Sequence, residues 1–203
     1  MFYFLDMRNI PKLSNSNLIL QNQKAVLQTI DDNNIKIVEY KIPIISNKNE
    51  EIAIKIDDFI IDCFNTFRYA SFDRKIINFE NQVQYEYEEG DIMELEIPDG
   101  SILGVLVIPD EKVIDLIESG ISIRISLFKK YLILDDDCGK IFKFKTTFIS
   151  NQETVQEQTF NSKDIIEVLK NNSNKLCKVH ILQDFPICFE FDDHRIFISP
   201  LDD

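Results

Sequence analysis

The stretch L-E-I-P-D-G-S-I-L-G-V-L-V-I-P-D-E-K-V-I-D-L-I, residues 95–117, contains the end of a linker, a strand and most of a helix. Pro98 closes an acidic segment that begins at Gln84, and an apolar run follows it. In residues 109–119 the apolar side chains recur at helical spacing, and Gly120 stands where a C-cap glycine is expected. The stretch therefore predicts a linker between two domains, followed by the first strand and helix of the second domain.

Two more segments have the 3.6-residue period of an amphipathic helix. Residues 56–67 carry aspartates near their start, where the helix dipole favours negative charge, and residues 162–170 are capped by Ser162 or Asn161. Each of the three helices is too short to be stable alone, so we expect them to lie on sheets. In chain order, the predicted apolar stripes are Phe59, Ile60, Cys63, Phe64 and Phe67; Val113, Ile114 and Ile117; and Ile165, Ile166 and Leu169.

Most of the remaining sequence alternates apolar and polar residues, which is typical of strands with one buried face. Residues 26–40 read V-L-Q-T-I-D-D-N-N-I-K-I-V-E-Y and predict a hairpin around residues 31–34. In residues 121–145, the pair Lys129-Lys130 and the run 135–139 separate further strands. We interpret the three aspartates of that run as turn residues rather than a cation site. The order of elements predicts two similar α+β halves.

The composition excludes several classes of protein. The chain has 203 residues, 44% hydrophobic and 28% charged, which is typical of a folded soluble protein. Its 22 basic and 35 acidic residues argue against a surface that binds phosphate as a whole, although a local basic face is still allowed. No apolar run approaches the ~20 residues that span a bilayer and no export signal opens the chain, so we expect an intracellular protein with no membrane partner.

The four cysteines never fall in a C-x-x-C spacing, and the two histidines are not spaced with them as zinc ligands would be. We therefore expect reduced thiols in or near the core, no zinc and no cofactor. His180 and His194 lie in strand-like or turn-like contexts, and Cys188 lies in a predicted buried strand, where a thiol is inert. The sequence also lacks the common motifs of nucleophilic and metal-dependent enzymes, so we expect that the protein is not an enzyme.

The linker and the segments around it resemble the DNA sliding clamps of the proliferating cell nuclear antigen (PCNA) family. In that family the connecting loop ends in L-G-I-P before the first strand and helix of the second domain, and residues 95–98 read L-E-I-P here. Residues 184–191, D-F-P-I-C-F-E-F, and 196–200, I-F-I-S-P, resemble the family's C-terminal acidic residue, proline and closing strands. The hairpin at residues 26–40 resembles the corresponding turn. The resemblance spans residues 26–203.

The resemblance implies an α+β, two-domain sliding-clamp fold, with antiparallel sheets outside and short helices on the inner face. It divides the chain into a truncated N-terminal clamp domain (1–83), an interdomain connecting loop (84–99) and a C-terminal clamp domain (100–203). Few residues separate Phe4 from the first hairpin, and Pro11 interrupts them. We therefore expect the first helix of the family to be degenerate or missing.

The family closes its ring through edge strands, which here correspond to residues 83–88 and 141–145. Carboxylates alternate with apolar side chains in the first strand, and ammonium groups do so in the second, so an antiparallel pair would be complementary in charge. The alternative is that each strand has one solvated face. The resemblance implies contact with the same chain or related clamp subunits in a trimer-like ring, through Val83, Tyr85, Glu86, Tyr87, Glu88, Phe142, Lys143, Phe144 and Lys145.

Family members bind peptides of polymerases and repair factors in a pocket between the connecting loop and the C-terminal strand. An apolar groove that takes a short helical turn is a recognised peptide-binding mode. Glu96 stands where the family's loop has glycine. Carried over by position, the pocket consists of Asn34, Ile37, Leu95, Ile97, Pro98, Pro186, Ser199 and Pro200.

Clamp helices line the central hole with basic residues, and here the corresponding DNA-binding positions are Lys12, Lys112, Lys163 and Lys170. Acidic residues outnumber them on the predicted helices, which disfavours phosphate binding. Two hypotheses follow. In the first, the chain is a ring-forming processivity or tethering factor for DNA replication and repair proteins, and it binds double-stranded DNA. In the second, it is an interaction scaffold or hetero-oligomer subunit that does not encircle DNA. The resemblance implies a nuclear location, with the cytoplasm as the alternative.

Overall fold

The computed structural model describes residues 3–5, 16–21, 24–30, 36–42, 44–46, 52–73, 75–90, 93, 95–117, 120–150 and 155–201. The chain divides into two compact units, Met1–Glu94 and Leu95–Asp203. Each unit consists of antiparallel strands, with one described helix in the first unit and two in the second. The predicted missing first helix falls on residues 6–15, which lie outside the described part of the chain.

The first unit pairs its strands in two series. β4, β3, β2 and β6 pair in that order, and β5, β1, β7, β8 and β9 form a five-stranded sheet. Its elements are β1 (Tyr3–Leu5), β2 (Ser16–Gln21), β3 (Lys24–Ile30), β4 (Lys36–Ile42), β5 (Ile44–Ser46), β6 (Ile52–Ile56), α1 (Asp58–Thr66), β7 (Ala70–Asp73), β8 (Ile76–Phe79) and β9 (Val83–Glu86).

The second unit repeats this order. β13, β12, β11 and β15 form a four-stranded sheet, and β14, β10, β16, β17 and β18 pair in sequence. The predicted tandem α+β architecture is therefore confirmed. The elements are β10 (Ile102–Val107), α2 (Glu111–Ile114), β11 (Ser122–Phe128), β12 (Tyr131–Asp136), β13 (Ile141–Lys145), β14 (Phe148–Ile149), β15 (Gln156–Asn161), α3 (Ser162–Asn171), β16 (Leu176–Ile181), β17 (Ile187–Glu190) and β18 (His194–Ile198).

Two of the helices begin at side-chain caps, and the sequence indicated the cap of α3. Asp57 caps α1, and its carboxylate accepts a hydrogen bond from the Ile60 amide. Asn161, rather than Ser162, caps α3, because its side-chain oxygen accepts from the Lys163 amide. Each cap satisfies a backbone donor that has no partner within the helix.

The apolar stripe of α1 differs from the predicted one. Phe59 is 50% exposed, whereas Ile61 is buried together with Ile60, Cys63 and Phe64. At 3.6 residues per turn, Phe59 lies about 120° from the centre of the buried face, so the stripe prediction was wrong at its edge. The exposed ring instead lies 5.8 Å, between ring centroids, from Tyr85.

The second helix is shorter than predicted. α2 covers one turn, and the Ile117 amide then bonds to the Ile114 carbonyl in a tighter, three-residue pattern. Ile114 and Ile117 are buried, but Val113 is 41% exposed, because one regular turn presents only a narrow apolar face. The expectation for the thiols also fails at Cys138, which is exposed in the turn between β12 and β13.

Candidate functional site

The strand β9 forms one edge of its five-stranded sheet. Val83 and Tyr85 pack against the core of the first unit, and Tyr87, just beyond the strand, is buried in the same core. Glu86 and Glu88 are exposed. Among the described residues only β8 pairs with β9, so the other side of β9 can accept a further strand.

The strand β13 is an edge of the second unit's four-stranded sheet. Phe144 is buried and Phe142 is partly buried, whereas Lys143 and Lys145 are exposed. Within the described ranges β13 pairs with β12 alone. The predicted interface residues therefore lie on two sheet edges that have opposite charges.

Glu88 at the β9 edge forms an exposed ion pair within the chain. Glu88 Oε2 lies 3.5 Å from Lys55 Nζ, and both side chains are mostly exposed. Exposed ion pairs of this kind contribute little to stability, since solvent screens them and the long side chains lose entropy. Glu88 can therefore exchange Lys55 for a cation of another chain at low cost.

The predicted docking residues are distributed over both units. Ile37 is a buried residue of β4 in the first unit, and Asn34 lies outside the described residues. In the second unit, Pro186 precedes β17 and Ser199 follows β18 at the end where Ile187 pairs with Ile198. The structure therefore places Pro186 and Ser199 at the same end of one strand pair.

The connecting-loop part of the docking set lies immediately before β10. Leu95, Ile97 and Pro98 are partly buried, and Glu96 between them is exposed. The Pro98 carbonyl accepts a hydrogen bond from the Ser101 amide at 3.2 Å, which closes a turn before the strand. Three apolar side chains of the loop are thus only partly covered and remain available for contact.

A polar cavity of about 630 Å³ opens in the second unit beside Pro200, a predicted docking residue. The Leu201 amide donates to the Thr159 carbonyl at 2.9 Å, and this bond ties the C-terminal tail to β15. Sequence reasoning missed most of this site, because its walls come from four separate stretches of the chain. They consist of Arg124, Glu157, Gln158, Thr159, Gln183, Asp184, Pro200 and Leu201.

The helices carry few cations for a nucleic acid. Lys12 lies outside the described residues, and Lys112 and Lys163 are exposed on α2 and α3. Lys170 Nζ lies 2.6 Å from the Asp115 carboxylate, and this hydrogen bond raises the pKa of Lys170 above its ordinary value. The described helices and their caps also carry Asp57, Asp58, Asp62, Asp110, Glu111, Asp115, Asp164 and Glu167. Their field opposes the approach of phosphate.

The two histidines each lie close to a carboxylate, and Cys188 lies in the core. Burial lowers the pKa of His180, although Glu190 at 3.7 Å opposes the shift. His194 stacks on Phe191 at a centroid distance of 4.7 Å and contacts Asp193 at 2.6 Å. The Cys188 thiol is buried, as predicted. In the described part of the chain, no three His, Cys, Asp or Glu residues form a group that could hold a metal ion.

The described helices are all too short or too polar to cross a bilayer. Neither a protein-family model nor a curated protein matches the sequence. Solved structures do match it. PCNA from Thermococcus kodakaraensis is 11% identical with a TM-score of 0.67, and the match covers 99% of this chain and 100% of that one.

Two further matches are PCNA complexes. A. fulgidus PCNA, bound to the C-terminal region of FEN-1, is 17% identical with a TM-score of 0.66 and covers 100% of this chain and 99% of its own. The PCNA2–PCNA3 complex from Sulfolobus tokodaii is 14% identical with a TM-score of 0.63 and covers 98% and 99%. This chain therefore has the sliding-clamp fold of PCNA. The resemblance found in the sequence is confirmed for the fold.

Proposed function

We propose that the chain is a PCNA-like clamp subunit, which assembles head to tail into a ring and tethers replication or repair proteins. One observation carries the proposal. The edge strands β9 and β13 of one chain expose carboxylates and ammonium groups respectively, so the β9 edge of one copy matches the β13 edge of the next. A heterologous contact of this kind closes into a ring when its rotation permits.

The same charges favour a ring of identical copies. Glu86 and Glu88 belong to the chain that also carries Lys143 and Lys145, so each subunit supplies both halves of the contact. A related clamp subunit with the same edge charges would serve equally well. The clamp from Sulfolobus tokodaii is a complex of two different PCNA chains.

The ring proposal is tested by charge reversal at the edges. We expect the parent chain to form trimers in mass photometry, and K143E/K145E to form monomers, because like charges would then face each other. Adding E86K/E88K to that variant restores opposite charges and should restore the trimer. The control K129E/K130E changes the net charge equally in the turn between β11 and β12. A trimer that survives K143E/K145E would contradict the proposed interface.

Client docking is the second part of the proposal. In this proposal the half-buried Leu95, Ile97 and Pro98 of the connecting loop contact the client peptide, and so do Pro186, Ser199 and Pro200 near the C-terminus. A. fulgidus PCNA binds the C-terminal region of FEN-1. A peptide of that region is therefore a suitable probe, and we expect Ile97→Asp to weaken its binding without changing assembly.

A second candidate function is an assembled scaffold that does not hold DNA. The observation that favours it is the acidic surface of the helices, in which Lys170 is already paired with Asp115. Retention on nicked circular DNA that is lost on linearisation would identify an encircling clamp. If the trimer forms but never remains on the circle, the scaffold function is the correct one. Lys163→Glu then has no effect on the DNA assay, whereas it reduces retention by an encircling ring.

A further inference from the structure

A row of polar side chains crosses four strands of the first unit. The strand register pairs Lys55 with Asn17, Asn17 with Gln28, and Gln28 with Glu39. Residues paired in this way point to the same face of a sheet. Leu27, next to Gln28 in the sequence, belongs to the core cluster, so the polar row lies on the opposite face.

The described residues that follow β9 contact this part of the sheet. We call residues 88–90 and 93 the connector. The Lys55 amide donates to the Glu88 carbonyl, and the Gly90 amide donates to the Ala53 carbonyl, both at 3.0 Å. A Cβ atom on Gly90 would lie 2.9 Å from the backbone carbonyl carbon of Ile54, which cannot move aside as a side chain can, so only glycine fits this close to the sheet.

Gln28 binds the connector through its main chain. The two hydrogens of Nε2 are donated to the Met93 carbonyl at 2.6 Å and to Glu39 Oε1 at 2.7 Å. In return, the Met93 amide donates to Gln28 Oε1 at 3.3 Å. Glu39 therefore fixes which side of the Gln28 amide faces the connector.

The side chains of Gln28 and Glu39 are buried, so breaking the hydrogen bonds between Gln28 and Met93 is costly. Gln28 is 2% exposed and Glu39 is 4% exposed, so neither side chain can readily replace a lost partner with water. A buried donor without a partner is costly, which favours the closed arrangement. The side chain of Met93 is 38% exposed, so the main chain rather than the side chain holds the connector.

We propose that Gln28, oriented by Glu39, is a latch that holds the connector on the first unit. Leu95 follows Met93 by two residues, so its Cα is always within about 7 Å of that of Met93, and a closed latch that fixes Met93 therefore limits where Leu95 can lie. Gln28 is thus a positioning residue for the loop that begins at Leu95. The positioning role rests on the proposed docking of client peptides, whereas the latch itself does not.

The latch is tested by hydrogen exchange in the full chain. Gln28→Met removes the amide at similar length, and we expect the Met93 amide to exchange about tenfold faster, as for the loss of one ordinary hydrogen bond. The Leu18 and Leu27 amides should keep their rates. Gln82→Met makes the same chemical change in an exposed turn and should leave Met93 unaffected. An unchanged Met93 rate in Q28M would overturn the latch.

A second variant covers the case in which Q28M does not fold. Met93→Pro removes the connector's N–H group and leaves the buried side chains in place. We expect the side-chain amide hydrogens of Gln28, followed by NMR, to exchange faster in this variant than in the parent. Equal rates in the two proteins would argue against the latch.

The positioning role has its own readout. The dissociation constant of the FEN-1 C-terminal peptide should rise about tenfold in Q28M and stay at the parent value in Q82M, because a loosened loop must be ordered on binding. A faster Met93 exchange with an unchanged dissociation constant would overturn the positioning role. If the parent does not bind the peptide, the client part of the proposed function fails, and the Met93 exchange rate still decides the latch.

Discussion

Replacing Asp57 with alanine should destabilise the first unit through two bonds of one carboxylate. Oδ1 accepts from the Ile60 amide at 3.0 Å and caps α1. Oδ2 accepts from the Tyr85 hydroxyl at 3.3 Å, so the same side chain links the helix to β9. Loss of an N-cap costs typically about 1 kcal/mol. An exposed, long hydrogen bond adds about 0.5 kcal/mol, which gives about 1–2 kcal/mol in total.

Asp58→Ala is the matched control. Asp58 lies one residue further along the first turn and contributes charge near the helix N-terminus without being the cap. Its removal should cost about 0.3–0.5 kcal/mol, the lower part of the range for charge–dipole interactions at exposed sites. Urea unfolding of both variants measures the difference. Equal losses in D57A and D58A would refute the capping argument.

The phenol of Tyr85 provides an independent readout of the same bond. Burial raises the pKa of Tyr85 above its ordinary value, and the charge and hydrogen bond of Asp57 raise it further. In D57A the desolvation remains but the carboxylate is gone, so the pKa should fall part of the way back toward the ordinary value. An NMR titration of Tyr85 measures this shift. An unchanged pKa would show that the 3.3 Å contact does not persist in solution.

Three further outcomes follow from other contacts. Phe79→Ala should lower the free energy of unfolding in urea by about 3–5 kcal/mol, because Phe79 is fully buried and its ring centroid lies 5.1 Å from that of Phe64. Phe148→Ala, at a half-exposed position, should change it by less than about 0.5 kcal/mol. The coupling between Lys170 and Asp115 in a double-mutant cycle should be small and should disappear at about 1 M salt; a coupling that resists salt would contradict an exposed pair. Hydrogen bonds from the Ser122 and Ile121 amides lower the pKa of Asp137. The contribution of Asp137 to folding stability is therefore complete above about pH 4 and is lost as pH falls through the lowered pKa. The difference in unfolding free energy between the parent and Asp137→Asn should accordingly shrink in acid and stay constant near neutrality.

Local patterns in the sequence were sufficient for much of the fold. The aspartates near the start of α1 and the apolar residues after them predict that helix, and the capping pair Asn161 and Ser162 with the stripe that follows predicts α3. Hydrophobic alternation predicts the hairpin of β3 and β4, because one face of each strand is buried. These signals work since each depends on residues that are close together in the chain.

Contacts between distant residues were not predictable in the same way. Alternation along β3 indicates that Gln28 faces solvent, but the connector, far along the chain, covers it. The pair of Lys170 with Asp115 joins two helices that no pattern relates. The cavity beside Pro200 likewise collects side chains from stretches that are separate in sequence. Each of these features depends on tertiary packing, which a single sequence does not encode locally.

The hydrogen bonds between Gln28 and Met93 also depend on the register of β3. If β3 slipped by one residue against its neighbours, Gln28 would turn into the core and Leu27 would turn toward the connector. Met93 would then face a hydrocarbon side chain that offers its backbone neither a donor nor an acceptor. In a chain misaligned in this way the connector would be detached from the sheet. Proteases and chaperones could recognise this exposed segment before the protein enters any assembly.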